Sequence, residues 1–93
     1  MGKYFVEFSS IARKELQAHY KAGNKITIKK NEKILLELTE NPFFGVGKPE
    51  ELKYNFKGYW SRRINQKDRI IYRVEEEIVT VYIVTAMGHF YDK

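Results

Sequence analysis

Cysteine is absent from the sequence, and histidine occurs only at positions 19 and 89. Neither a disulfide framework nor a thiolate metal site can hold this chain together, and two histidines so far apart argue against a dedicated zinc site. Lack of cysteine is compatible with a reducing compartment. No hydrophobic run approaches the roughly 18 residues that cross a bilayer. The opening MGKYFVEFSS also lacks the long apolar core of a signal peptide. A soluble, cytoplasmic protein is therefore expected. There is no internal repeat, low-complexity tract or linker, and 93 residues suit a single domain spanning 1–93. A domain of this size buries roughly 60 to 65% of the surface its unfolded chain exposes, which is enough to fold without staples.

Acidic residues are outnumbered, 12 Asp and Glu against 17 Lys and Arg, for a formal charge of +5. The summed field favours a polyanionic partner, either nucleic acid or an acidic protein.

Periodicity divides the chain as follows. Residues 3–8, KYFVEF, alternate as a strand with Tyr4, Val6 and Phe8 on one face. Ser9 or Ser10 can cap a helix running to about Lys21. On it Ala12, Leu16 and Tyr20 form the expected core stripe, with Ile11, Glu15 and His19 beside them and His19 on the helix surface. Gly23 breaks that helix and Asn24 can cap a second one over Lys25 to Glu40. Ile26, Lys30, Ile34 and Leu38 fall on one face of this second helix, and Lys29, Lys33, Glu37 and Glu40 on the other. Asn41 and Pro42 end it. Phe43 and Phe44 are expected to anchor the following loop in the core.

The stretch from Gly45 to Tyr72 carries the chemistry. A Gly- and Pro-containing loop, GVGKPEE, leads into an extended run, LKYNF, and a Lys57-Gly58 turn then reverses the chain into YWSRRIN. The turn NQKD reverses it again into RIIYRV. Strand alternation puts Trp60, Arg62 and Ile64 on one side and Tyr59, Ser61 and Arg63 on the other. After an exposed acidic turn at 75–77, the β-branched run IVTVYIVT at 78–85 is apolar on both faces, as befits a central strand. The tail AMGHFYDK follows it. Strand, two helices and three or four further strands make an α+β domain, its helical hairpin covering one face of a twisted antiparallel sheet and the other face left to bind.

The pattern GxGKPExLKxNxxGxWSRRIxxxxRxxYxV resembles the Txe/YoeB family of the RelE/ParE superfamily of bacterial toxins from toxin-antitoxin modules. The resemblance implies the RelE-like fold and a ribosome-dependent mRNA endoribonuclease, an mRNA interferase, that needs no metal or other cofactor. It implies a cognate acidic antitoxin of the YefM/Axe kind as partner, besides the ribosome and mRNA, and it leaves a homodimer open. Carried over by position, Glu50 is the general base toward a 2′-OH, Arg69 the cation at the crowded phosphate, and His89 the general acid for the departing 5′-oxygen. Lys53 and Arg63 hold flanking phosphates. Arg62 faces away from Arg63 and is left to phosphate contacts elsewhere or to structural pairing. Tyr72 fits a family tyrosine, open to packing or RNA contact.

In the tail the pattern changes. The family has His followed directly by Tyr, whereas here Phe90 intervenes and Tyr91 comes one place later, so either ring can fill the aromatic position. Two other functions compete: a ParE-like toxin acting on DNA gyrase, against which the KPE and WSRRI motifs argue, and a non-catalytic RNA-binding module.

Overall fold

A computed structural model describes residues 4–53, 56–75 and 80–88. In chain order the elements are β1 (Phe5–Phe8), α1 (Ser10–Ala22), α2 (Lys25–Glu40), β2 (Glu50–Glu51), β3 (Tyr59–Arg63), β4 (Arg69–Glu75) and β5 (Thr80–Gly88). The strands form one sheet in the order β1-β5-β4-β3-β2, so β5 is interior, as its two-sided apolar sequence requires. The pairs β2–β3, β3–β4 and β4–β5 are antiparallel. β1 departs from the expected antiparallel sheet: it pairs parallel with β5, Phe5 opposite Thr80 through Phe8 opposite Ile83. A parallel neighbour needs a long crossover, and the α1–α2 hairpin that follows β1 opens one.

Both helices begin where a side chain can accept from an orphan amide. Ser9 Oγ takes the Ala12 N–H at 2.9 Å, and Asn24 Oδ1 takes the Thr27 N–H at 3.0 Å, each cap worth about 1 kcal/mol. Between the helices Gly23 adopts the left-handed conformation at φ 76°, which lets its N–H reach back to the Tyr20 carbonyl. The hairpin buries Ala12 and Leu16 of α1 and Ile34 and Leu38 of α2 against Ile64, Ile70, Tyr72, Val81, Ile83 and Ala86. Tyr4, Val6, Phe8 and Trp60 pack at the margin of this cluster.

Several expected faces are rotated. His19, expected on the surface, is 5% exposed, while Tyr20 is 48% exposed. The reason lies in β5. His19 Nε2 donates to the Ala86 carbonyl at 2.9 Å, and Glu15, one turn earlier, accepts the Ala86 N–H at 2.8 Å. On α2, Thr27 and Asn31 are buried in place of Ile26, which is exposed. In the loop after α2, Phe43 packs edge-on to Trp60 with ring centroids 5.0 Å apart, whereas Phe44 points outward and is exposed. The paired strand before β3 lies at Glu50–Glu51, just ahead of the extended run expected at LKYNF, and Leu52 at the start of that run donates its N–H to Tyr59 O at 2.8 Å.

Candidate active site

Residues directly opposite in an antiparallel ladder share a face. Trp60 opposes Tyr72 and Arg62 opposes Ile70, which puts these four under the helices. The alternate set, Tyr59 opposite Arg73, Ser61 opposite Ile71 and Arg63 opposite Arg69, therefore lies on the face without helices. Glu50 opposes Ser61 and joins that face. Glu50 Oε1 stands 3.9 Å from Arg69 NH1, with the Glu50 side chain 62% and the Arg69 side chain 23% exposed. One carboxylate thus sits open to solvent beside Arg69, with Arg63 on the same face.

The end of β5 reaches the same place. Between the pairs Arg69–Gly88 and Tyr72–Ile83, β5 accommodates two register shifts, each inserting an extra β5 residue against β4. Such bulges re-aim a strand at a site. They leave Gly88 opposite Arg69. Further along this face, Arg73 lies 4.6 Å over the Tyr82 ring and pairs with Glu75 at 2.8 Å. Its guanidinium pKa is raised, chiefly by the hydrogen bond to Glu75.

The loop that delivers Glu50 is seated on β3. Gly47 O accepts the Arg63 N–H at 2.7 Å, and Gly47 lies at φ 83° with its Cα so close to β3 that a Cβ would stand 2.8 Å from the Arg63 carbonyl oxygen. Lys48 is the one described non-glycine residue with a positive φ, 52°, immediately before Pro49. Sparsely populated backbone of this kind persists where its surroundings dictate it.

Beneath that loop lies Arg62, fully buried. Its Nε donates to Tyr72 Oη at 3.3 Å. NH1 donates to Glu37 Oε1 at 2.7 Å and to Val46 O at 3.5 Å, and NH2 to Asn41 O at 3.1 Å and Phe44 O at 2.7 Å. Glu37 Oε1 also accepts the Val46 N–H at 2.9 Å, and Tyr72 Oη donates to Pro42 O at 2.6 Å. A buried cation is tolerable only when paired and hydrogen-bonded in this way. Tyr72, burdened chiefly by burial and helped only partly by Arg62, has its hydroxyl pKa raised and stays protonated as a donor.

Of the residues singled out from sequence, Glu50, Arg63 and Arg69 come together on the open face. Lys53 is exposed three positions after Glu50, bordering an open pocket of about 350 Å³ with Glu51, Leu52 and Lys57. Tyr72 does not belong with them: wholly buried on the helix side, it packs and bonds the loop and has no surface to offer RNA. Arg62 resolves to structural pairing. His89, Phe90 and Tyr91 lie outside the described residues. Sequence reading missed the Glu37–Arg62 pair. The signals were there: Glu37 adjoins Leu38 at the edge of the apolar stripe, and Arg62 alternates with Trp60 and Ile64.

A helical hairpin on a twisted sheet, whose open face holds a carboxylate among arginines, defines a small α+β domain of the RelE toxin type. The family model for the YoeB-like toxin of bacterial type II toxin-antitoxin systems matches residues 9–90, and the chain belongs to that family. It is 34% identical over 84 residues to the toxin YoeB of Synechocystis sp., covering 86% of this chain and 95% of the relative. Among solved structures it is similar to the Staphylococcus aureus YoeB dimer, with TM-score 0.78 and 31% identity over 95% of this chain and 99% of that one. It is also similar to the toxin of the Staphylococcus aureus YoeB-YefM complex, with TM-score 0.75 and 33% identity over 94% and 98%.

Proposed function

We propose that this toxin is a ribosome-dependent mRNA endoribonuclease that cuts by attack of the RNA's own 2′-OH. The observation that carries the reading is the meeting of Glu50 with Arg69, beside Arg63, on the sheet face that the helices leave open. Glu50, exposed on this face and 3.9 Å from the Arg69 guanidinium, takes the 2′-OH proton. The freed oxygen attacks phosphorus, and Arg69 stabilises the charge that builds on the phosphoryl oxygens. The bond to the 5′-oxygen breaks as His89, which directly follows Gly88, gives that oxygen a proton. The products are a 2′,3′-cyclic phosphate and a 5′-hydroxyl. Arg63 and Lys53 hold neighbouring phosphates, and Phe90 or Tyr91 stacks on a base. All three chemical roles are filled by side chains.

The ribosome positions the message so that few protein groups suffice. By likeness to the complexed Staphylococcus aureus relative, the cytoplasmic partner that restrains the toxin is an acidic, YefM-like antitoxin whose tail folds onto the basic face. A second copy of the chain is a further partner, since that relative also occurs as a dimer. The direct test replaces the nucleotide 5′ to a mapped cut with its 2′-deoxy form in ribosome-bound mRNA. Cleavage should vanish there and persist elsewhere. Cutting at the deoxy position would overturn the 2′-OH mechanism.

A further inference from the structure

Backbone carbonyls of the loop between α2 and β2 converge on two side chains of the sheet. Those of Asn41, Phe44 and Val46 take the donors of Arg62, and that of Pro42 takes the Tyr72 hydroxyl. Glu37, reaching out from the last turns of α2, closes the arrangement by accepting from Arg62 and from the Val46 amide with one oxygen. A Cβ on Gly45 would overlap Glu37 Oε1 and stand 2.7 Å from Arg62 NH1, so the backbone rests directly on the ion pair. From Val46 the chain continues without slack: Gly47 O binds the Arg63 amide, Glu50 pairs with Ser61, and Leu52 binds Tyr59. The Glu37–Arg62 pair thus lies under the loop that leads directly into β2.

We infer that Glu37 and Arg62 are positioning residues for Glu50, holding its loop so that the carboxylate faces Arg69 on the opposite side of the sheet from the pair itself. The inference rests on the nuclease reading of Glu50. Neither side chain touches substrate. Their action passes through backbone alone, from Val46 to Gly47 and so to the β2 ladder. A displacement of about 1 Å at a reacting group can cost about 100-fold in rate, so a loosened seat should be visible in turnover before it is visible in binding.

The test uses the full-length protein on ribosome-bound mRNA, with Glu37→Gln, Glu37→Ala and Gly45→Ala. Glu37→Gln keeps an oxygen for both donors and should retain more activity than Glu37→Ala, whose kcat should fall about 10- to 100-fold with KM within about twofold. Gly45→Ala should resemble Glu37→Ala without altering any charge. In a Glu50→Gln background Glu37→Ala should cost less than about twofold more, because the positioned group is already gone. Amide exchange at Val46, Arg63 and Leu52 should accelerate at least about tenfold while Ile70 and Tyr72 stay protected. Losses that multiply in full with Glu50→Gln, or unchanged exchange at those three amides, would overturn the inference. A wild-type protein that leaves ribosome-bound mRNA intact would instead sink the nuclease reading, with exchange still deciding whether the pair seats the loop.

Discussion

Glu50 and Arg69 come from strands that are not neighbours, β3 lying between β2 and β4, yet their side chains approach to 3.9 Å. Two inter-strand spacings are about 9.5 Å, so the contact depends on the reach of arginine across the intervening strand. There Ser61 is the residue opposite Glu50, and a small side chain leaves the path open. The pair is solvent-exposed and long, and should contribute no more than about 1 kcal/mol to stability. Glu50→Gln should accordingly leave the denaturant midpoint nearly unchanged while lowering cleavage by about 10² to 10⁴, the usual worth of a general base. Parallel urea titration and single-turnover cleavage check both halves.

Arg62 has the opposite character. Removing it leaves three loop carbonyls without their donor and the partly exposed Glu37 without its cation, and breaking a pair whose arginine is wholly buried costs about 3–5 kcal/mol. Against a total of about 5–15 kcal/mol for a domain, Arg62→Ala should yield a largely unfolded or thermally fragile protein. Methionine in its place should do no better, since the carbonyls still lack donors. Circular dichroism melting of the two variants measures this.

Tyr72 gives the fold an alkaline limit. Its hydroxyl pKa is raised above the ordinary 10.0, first by burial, with Arg62 offsetting part of the effect. The unfolded chain releases this proton more readily than the folded one, so the tyrosine's contribution is complete below pH 10 and fades as pH rises through the folded value. Stability should fall above about pH 10. Tyr72→Phe should flatten part of that fall and cost about 1–3 kcal/mol at neutral pH, because Pro42 O and Arg62 Nε lose a partner. Urea midpoints from pH 7 to 11 test the sign.

His19 secures the end of β5 through the Ala86 carbonyl. His19→Ala should leave that buried oxygen without its donor, at a cost of about 1–3 kcal/mol. Faster amide exchange should appear at the end of β5 and be absent from β3. Since β5 ends at Gly88, beside Arg69 and one residue before His89, cleavage should weaken as well.

Much of this was legible in the residues, and what was not has local causes. The helices begin and end where Ser9, Gly23, Asn24 and Pro42 signal, because capping and proline act within a few residues. Alternation in β3 sorted Arg62 from Arg63 correctly. It could not say that the partner of the buried Arg62 would be Glu37, a residue 25 positions away on another element. Helix faces were misjudged where polar burial competes with hydrophobicity: His19 turns inward to satisfy an Ala86 carbonyl, and Tyr20 and Ile26 turn outward. The parallel pairing of β1 is a tertiary choice with no local signature. Tyr72 was recognised by position but not by face, since its ladder partner Trp60 had to be known first.

The central claim, that Glu50 and His89 move the two protons of an mRNA cut, is tested most directly by translating a defined mRNA in a purified bacterial system with the wild type, Glu50→Gln and His89→Gln. Cut sites are mapped by primer extension and the 3′ ends identified chemically. Codon-phased cuts ending in 2′,3′-cyclic phosphate, reduced about 100-fold or more in either variant, are the predicted result. Intact message with the wild type, or cuts undiminished in both variants, would contradict it.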